Sequence, residues 1–243
     1  MSLPRLYAAS LPDSVTTLSF DDDACRHAQV LRLAAGDRVC LFDAAGRSAE
    51  ATITNVKRGA YTCSVQPARS VPPPARRLHL ILGIPKAAKL EMIVRMVTEL
   101  GVHAVYLAHT ERSVPKLSTD SPKLERLRRI GIEACAQSGQ AWAPQLAGPM
   151  ALAEAAAAAE AEAERLVFWE NSKRPLGLQP TASNAMRDVW AIVGPEGGIS
   201  EREVDVLRQL GYVDIGLGAG ILRVETACVA ISTLLLDRMG VLR

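Results

Sequence analysis

Two glycine-bearing segments near the C-terminus have the composition of ligand-binding loops. Gly194-Pro195-Glu196-Gly197-Gly198 directly follows the apolar run 189–193, and the segment from Gly216 to Arg223 contains three glycines. Glycine lets a backbone approach a ligand where a Cβ would clash, and it leaves N–H groups free to bond that ligand. The alternative for each segment is a tight turn that holds no ligand.

The spacing of these glycines argues against several common sites. The second segment has isoleucine at 221 where a nicotinamide-dinucleotide fingerprint needs glycine, and no βα unit follows it to supply a ribose-binding carboxylate. The sequence contains neither a GxxxxGK[ST] phosphate loop nor a GxSxG nucleophile elbow. Ligands of open α/β sheets bind beyond the C-terminal ends of the strands, where both segments lie. We therefore expect the two segments to share one pocket.

The region that carries these segments alternates between strand and helix patterns. Apolar runs predict strands at 78–82, 104–107, 166–169, 189–193 and 212–217. Helical patterns are predicted at 90–100 (ended by Gly101), 122–137, 150–164, 201–210 (with a capping box of Ser200 and Glu203) and 225–239. This alternation predicts an α/β domain over residues 76–243, with a parallel sheet covered on both faces.

A different pattern precedes the prolines at 72–74, which cannot lie inside a helix or a central strand. Runs with the strand period occupy 38–42, 49–56 and 61–65, and one helix is expected from about residue 24 to 33. Residues 1–71 are therefore predicted to form a small β-barrel domain.

Bulk composition limits the function classes. The net charge is only +2 and aromatic residues make up 4%, so nucleic-acid binding would depend on local basic patches. The five cysteines and four histidines lack the spacing of a metal or redox site, so no metal is expected. Because the N-terminus lacks a signal-peptide pattern and no apolar run could span a bilayer, we expect a cytoplasmic protein without membrane contact.

The last predicted helix has almost no polar face, which is typical of a helix buried on most sides. A domain of this size can hardly cover it fully, so the helix predicts a subunit interface.

The combined C-terminal motifs resemble a known signature. Gly194 to Gly198, Leu217-Gly218 and the run Ile221 to Ala227 are similar to the RsmE family, ribosomal small-subunit RNA methyltransferases of the SPOUT superfamily. Weaker matches to the same family are His27 to Arg32 with Gly36-Asp37, Lys86, Lys89 to Gly101, Glu133-Ala134 and Gln137-Ser138.

This resemblance implies a fold and a reaction. The N-terminal domain would be PUA-like, and the C-terminal domain would be a trefoil knot, an exception to the general absence of knots. The enzyme would be a homodimer that uses S-adenosylmethionine to methylate N3 of a uridine in 16S ribosomal RNA, free or in the small ribosomal subunit.

The resemblance also suggests site residues. Those expected at the cofactor are Gly194, Glu196, Gly197, Gly198, Leu217, Gly218, Ile221 and Leu222. Arg223 would stabilise the anion that develops on uridine or place a phosphate, the alternative being a salt bridge to Glu225 or Glu196. Glu196 could accept a proton, although bonding of backbone N–H groups within its own turn is the favoured role.

Six residues are candidates for RNA contact, since basic side chains that bind phosphate fix the register of RNA. They are Arg5, His27, Arg32, Lys86, Lys89 and Arg112. The alternative for each cation is a solvated surface role, and for His27 a hydrogen bond at the start of a helix.

Three positions depart from the family pattern. Gly220 and Gln140 stand where basic residues are usual, and Ala136 stands where glutamate is usual. The departures at Gln140 and Gly220 motivate a second hypothesis, a non-catalytic RNA-binding assembly factor that keeps the methyltransferase fold.

Overall fold

The proline run separates two folding units. The structure is a computed structural model that describes residues 3–20, 28–57, 60–114, 117–177, 187–218 and 220–242. One unit contains residues 1–73 and 132–143, and the other contains residues 74–131 and 144–243. Residues 132–143 were predicted to belong with the second domain; they join the first unit because Arg5 donates hydrogen bonds to the carbonyls of Gly139 (2.7 Å) and Gln140 (2.9 Å).

The first unit is built on a six-stranded sheet. Its strands pair in the order β1-β3-β4-β5-β2, with β6 added to β4. Alternate residues of β5 (Tyr61, Cys63 and Val65) are buried and pack with Leu41 and Ile53. The strands are β1 (Arg5–Tyr7), β2 (Thr16–Phe20), β3 (Arg38–Phe42), β4 (Arg47–Lys57), β5 (Ala60–Val65) and β6 (Arg69–Ser70). The three predicted strands are confirmed; of the predicted helix 24–33, residues 28–30 are helical and 24–27 lie outside the described residues.

The second unit is the predicted α/β domain. Its six strands are all parallel, in the order β12-β10-β11-β7-β8-β9. They are β7 (Leu78–Gly83), β8 (Ala104–His109), β9 (Gln145–Ala151), β10 (Glu164–Phe168), β11 (Val189–Val193) and β12 (Val213–Ile215). The helices are α1 (Ala87–Leu100), α2 (Pro122–Ser138), α3 (Leu152–Ala157), α4 (Glu201–Gln209) and α5 (Val224–Arg238). Of α2, residues 122–131 belong to this unit and residues 132–138 to the first. Within the described ranges, no helix is long and apolar enough to cross a membrane.

Apolar residues cover both faces of this sheet. Every residue of β7 and β11 is buried, as expected for central parallel strands. The core on one face includes residues of α1, α2 and α5, and the core on the other includes residues of α3 and α4. Helix α1 buries Leu90, Ile93 and Val97 in its core and ends at Gly101, whose left-handed φ of 88° suits glycine.

One predicted helix was wrong. The Ala/Glu-rich segment 150–164 was expected to be helical throughout, yet only α3 is. Met150 and Ala151 extend β9 and pair with Ala108 and His109 of β8. Pairing at the sheet edge therefore overrides the helix propensity of these residues, and Pro149, which has no N–H to donate, is tolerated on an edge strand.

A buried histidine lies near the amino ends of the same strands. The ring of His79 stacks on that of Trp190, with centroids 4.4 Å apart and planes 4° from parallel. Neither ring nitrogen has a hydrogen-bond partner among the described residues, and Nε2 lies 3.7 Å from Oδ2 of Asp188. Burial, reinforced by His103, lowers the pKa of His79 from 6.5 to about 4, against the smaller opposing effects of Glu160 and Asp188.

His79, Glu160 and Asp188 place possible metal ligands within 4.8 Å of one another, a grouping that sequence spacing did not reveal. Both carboxylates are already held, Asp188 by two hydrogen bonds from Arg77 and Glu160 by the indole N–H of Trp190 (2.8 Å). We therefore assign this cluster a structural role.

His79 should make the fold sensitive to acid. Its pKa is lower in the folded chain than in the unfolded chain, so unfolding binds a proton and stability falls as the pH drops from 6.5 towards 4. From about pH 7 to about pH 5 this residue should remove about 2 kcal/mol from the free energy of unfolding. Urea denaturation at both pH values measures the loss. The free energy of unfolding of His79→Phe, which keeps the stacked ring but cannot titrate, should fall by about 2 kcal/mol less than that of the wild type over this pH range. Equal falls in both proteins would show that His79 is not the source of the acid sensitivity.

Candidate functional site

The first glycine loop is a tight turn at the carboxyl end of β11. The N–H of Gly198 donates to the carbonyl of Pro195 (2.9 Å), and the φ of Gly198 is 72°. A Cβ on Gly194 would lie 2.8 Å from Cγ1 of Ile199 and 2.9 Å from the carbonyl carbon of Gly198. The loop can close only because position 194 has no side chain.

Helix α4 begins directly after this loop with the predicted capping box. The Ser200 hydroxyl accepts from the N–H of Glu203 (3.2 Å), and the Glu203 carboxylate accepts from the N–H of Ser200 (2.9 Å). Glu203 also accepts from the N–H of Glu111 (2.9 Å). These bonds fix the direction in which the chain leaves the loop.

The second loop leaves β12 at Gly216. A Cβ there would lie 2.1 Å from the carbonyl oxygen of Ser172, and the Gly216 N–H donates to the carbonyl of Arg174 (2.8 Å). The φ of Gly218 is 109°, which suits glycine. The segment ends at Arg223, the N-cap of α5.

A cavity of about 460 Å³ lies between the two loops. All eight residues predicted at a cofactor line it, as does Arg223. Sequence reasoning missed lining residues that other elements supply, among them Phe168, Trp169, Glu170, Val193, Ile215, Val224, Ala227 and Ile231. Phe168, Trp169 and Glu170 lie at the end of a predicted strand, where ligands are expected. The sequence does not show, however, that this strand lies between β11 and β12 in the sheet.

Lys89 lines this cavity and pairs with carboxylates of two other elements. Its ammonium lies 3.1 Å from Oε2 of Glu225 on α5 and 3.6 Å from Oε1 of Glu196 in the first loop. The same Glu196 oxygen accepts from the N–H of Lys86 (3.2 Å), so Glu196 bonds a backbone N–H, although at the N-cap of α1 and not in its own turn. The pKa of Glu225 is lowered, first by a bond from its own backbone N–H and then by Lys89.

Arg112 supports the first loop from outside. Its guanidinium donates to the carbonyl of Gly197 (2.8 Å), and its Cβ lies 3.0 Å from the position that a Cβ of Gly197 would take. Lys89 and Arg112 were predicted to contact RNA, and in the structure both hold the glycine loop.

The side chain of Arg223 is exposed at the cavity, and its guanidinium forms no ion pair or hydrogen bond among the described residues, although its charge makes a small contribution to the lowered pKa of Glu225. Its predicted alternative, a salt bridge to Glu225 or Glu196, is not formed, since Lys89 pairs with both carboxylates. Two exposed apolar side chains, Ile221 and Leu222, precede it.

The remaining RNA candidates differ in their surroundings. The two terminal nitrogens of the Arg5 guanidinium each donate to a carbonyl of the first unit, and the group lies 4.6 Å above the ring of Phe42. The side chains of Arg32 and Lys86 are exposed. His27 lies outside the described residues.

Comparison with known proteins places this architecture in a family. Residues 72–236 match the model of an RNA methyltransferase domain, and residues 20–66 match that of an RNA methyltransferase PUA domain. The chain belongs to the RsmE family of RNA methyltransferases. The α/β fold with its parallel sheet and the PUA-like N-terminal domain agree with the expectation from sequence.

Named relatives carry the same family name. A ribosomal RNA small subunit methyltransferase E of Synechocystis is 33% identical over 82% of this chain, and the match spans 65% of that relative's length. One of Mycobacterium bovis is 29% identical over 91% of this chain and 86% of its own. The crystal structure of the Neisseria gonorrhoeae enzyme bound to S-adenosyl methionine has 26% identity and a TM-score of 0.86, covering 97% of each chain.

Substitution of Gly194 should destabilise the protein. Gly194→Ala puts a methyl group within 3 Å of the Gly198 backbone, and such overpacking costs about 1–3 kcal/mol. Gly220→Ala is the matched control, because a Cβ there meets nothing within 4 Å. Urea denaturation of both variants measures the difference, and equal stability would show that the first loop is not tightly closed.

Proposed function

We propose that this chain methylates N3 of a uridine in 16S ribosomal RNA, with S-adenosylmethionine as the methyl donor. The observation that carries the proposal is the cavity closed by two glycine loops in a chain of this family. The bound cofactor would supply a methyl group made electrophilic by a sulfonium. The finer points, uridine N3 and 16S RNA, rest on the resemblance of the C-terminal motifs.

The residues present fit such a cofactor. The cavity volume of about 460 Å³ is within the usual range of small-molecule pockets. Phe168, Val193 and Ile215 give it a buried apolar wall suited to an adenine ring. Gly197 and Gly198 expose backbone at the opposite loop, where a planar or polar group can approach closely. The cofactor-binding role of the eight loop residues is part of this proposal.

Arg223 is proposed as the catalytic residue. Uridine N3 carries a proton and becomes a good nucleophile only as that proton leaves, so negative charge develops on the imide during transfer. A guanidinium without another partner, at the cavity, can stabilise that charge. We assign the released proton to solvent.

RNA contact is assigned to the exposed cations. Arg32 and Lys86 have exposed side chains that can reach phosphate, and His27 belongs to the same proposal through the resemblance. Arg5, Lys89 and Arg112 are weaker candidates, since each already bonds protein groups. The PUA match supports an RNA partner for the first unit.

A second copy of the chain is the proposed partner of α5. In the described part of a single chain, one side of this helix is buried. Cys228, Ile231 and Leu235 lie on that buried side. Ala230 is half-buried and Leu234 is 37% exposed, which leaves apolar surface open. Packing of a second copy over this surface would complete the burial that the sequence predicted.

The knot implied by the resemblance is also part of the proposal. After edge strand β12 the chain returns through the second loop to α5, which packs with α1 against the central strands β7 and β11. Such a return beside the first loop supports the proposal of a trefoil.

The reaction is tested on ribosomal RNA. We expect mass spectrometry of 16S RNA from cells lacking this protein to show one N3-methyluridine fewer, restored by purified protein with S-adenosylmethionine in vitro. Unchanged methylation would refute the proposal. Cofactor binding in calorimetry without any transfer to RNA or to small subunits would instead support the non-catalytic assembly factor.

Arg223→Ala should lower turnover more than cofactor affinity. Loss of one anion-stabilising donor costs about 100-fold in the rate of the chemical step. We expect calorimetry to find S-adenosylmethionine affinity within about threefold of the wild type, because the guanidinium is assigned to the anion that develops on uridine, and it is not attracted to the cationic sulfonium of the cofactor. Arg202→Ala, on the exposed face of α4, is the control and should change neither value. Equal losses of rate and affinity would contradict the assigned role.

A further inference from the structure

Glu170 is a carboxylate in the cavity to which the proposed reaction gives no role. It is the second residue beyond β10, and its side chain is exposed in the cavity. No described residue donates a hydrogen bond to its carboxylate or forms an ion pair with it. Glu196, the other acidic residue of the cavity lining, is occupied by Lys89 and by the N–H of Lys86. Glu170 therefore offers free acceptor oxygens to a ligand.

The carboxylate of Glu170 lies directly against Gly198. A Cβ on Gly198 would lie 2.6 Å from Oε1 and 3.2 Å from both Cδ and Oε2 of Glu170. All three carboxylate atoms therefore pack against the face of the glycine where a side chain would stand. The missing side chain leaves room for the carboxylate at the edge of the loop.

The neighbouring surfaces indicate which part of a nucleoside ligand meets it. Phe168 and Trp169, directly before Glu170 in the chain, are nearly buried apolar walls of the cavity and suit a base. The polar group next to a base is the ribose. A carboxylate only accepts hydrogen bonds, and its two oxygens can each take one from the adjacent hydroxyls of a diol.

Position in the sheet favours the same ligand group. In open α/β sheets that bind dinucleotides, an acidic residue near the glycine loop accepts hydrogen bonds from ribose. Here β10 is the direct neighbour of β11, whose end carries the first glycine loop. The chain lacks the dinucleotide fingerprint, yet its strand order brings a carboxylate and a glycine loop together in a comparable way.

We propose that Glu170 accepts hydrogen bonds from the ribose 2′- and 3′-hydroxyls of the cofactor and thereby selects a ribonucleoside. The inference rests on the proposed function, because the ligand is S-adenosylmethionine or its product.

A binding cycle tests this contact directly. Dissociation constants of S-adenosylhomocysteine and of its 2′-deoxy and 3′-deoxy analogues are measured by calorimetry for the wild type and for Glu170→Ala. Hydrogen bonds to a charged acceptor correspond to about 10-fold to 100-fold in affinity, so the wild type should lose that factor when a hydroxyl is removed. Glu170→Ala should bind the parent compound weaker by a similar factor and show little further loss with the analogues.

One control variant tests whether any effect is specific to the carboxylate in the cavity. Glu154→Ala removes an exposed carboxylate of α3 outside the cavity lining and should behave like the wild type. Equal penalties for the deoxy analogues in the wild type and in Glu170→Ala would overturn the inference. So would a loss in Glu170→Ala that is much larger for S-adenosylmethionine than for S-adenosylhomocysteine, since the carboxylate would then face the sulfonium. Absence of any binding to the wild type would refute the proposed function itself.

Discussion

The site depends on three neighbouring strands that end at the same level. Phe168, the last residue of β10, pairs with Val193 on one side and with Ile215 on the other. Because the strands are parallel, the chain segments that follow them all emerge at one edge of the sheet. The first glycine loop, the second glycine loop and the Trp169-Glu170 segment are therefore neighbours, although residues 171–193 and residues 199–215 separate them along the chain.

Close backbone packing then gives these segments their shape. Gly194 closes the first loop upon itself, and Gly216 passes the carbonyl of Ser172 at a distance that no side chain would permit. Ionic contacts link these segments to the helices: Lys89 of α1 pairs with Glu196 in the first loop and with Glu225 in α5. Partly exposed ion pairs contribute little to stability, so their effect here is to fix the relative positions of elements already held by the core.

The sequence predicted the parts of the site that have a local pattern. Buried strands such as β11, the capping box at Ser200 and the glycine loops all have signatures within a few residues. Strand β9 was missed because its Gly-Pro and alanine composition does not resemble a strand, and only its pairing with β8 makes it one. Glu170 was missed because its importance comes from the order of strands in space, which differs from their order in the chain.

The basic residues show most clearly what a sequence cannot provide. Arg5, Lys89 and Arg112 were chosen as RNA contacts for their charge, but charge alone does not reveal whether a side chain already has a partner. In the folded chain these three bond the protein, whereas Arg223, Arg32 and Lys86 leave their charged groups available. With a net charge of only +2, RNA binding under the proposed reaction would depend on local groups of such available cations, because the chain as a whole attracts phosphate only weakly.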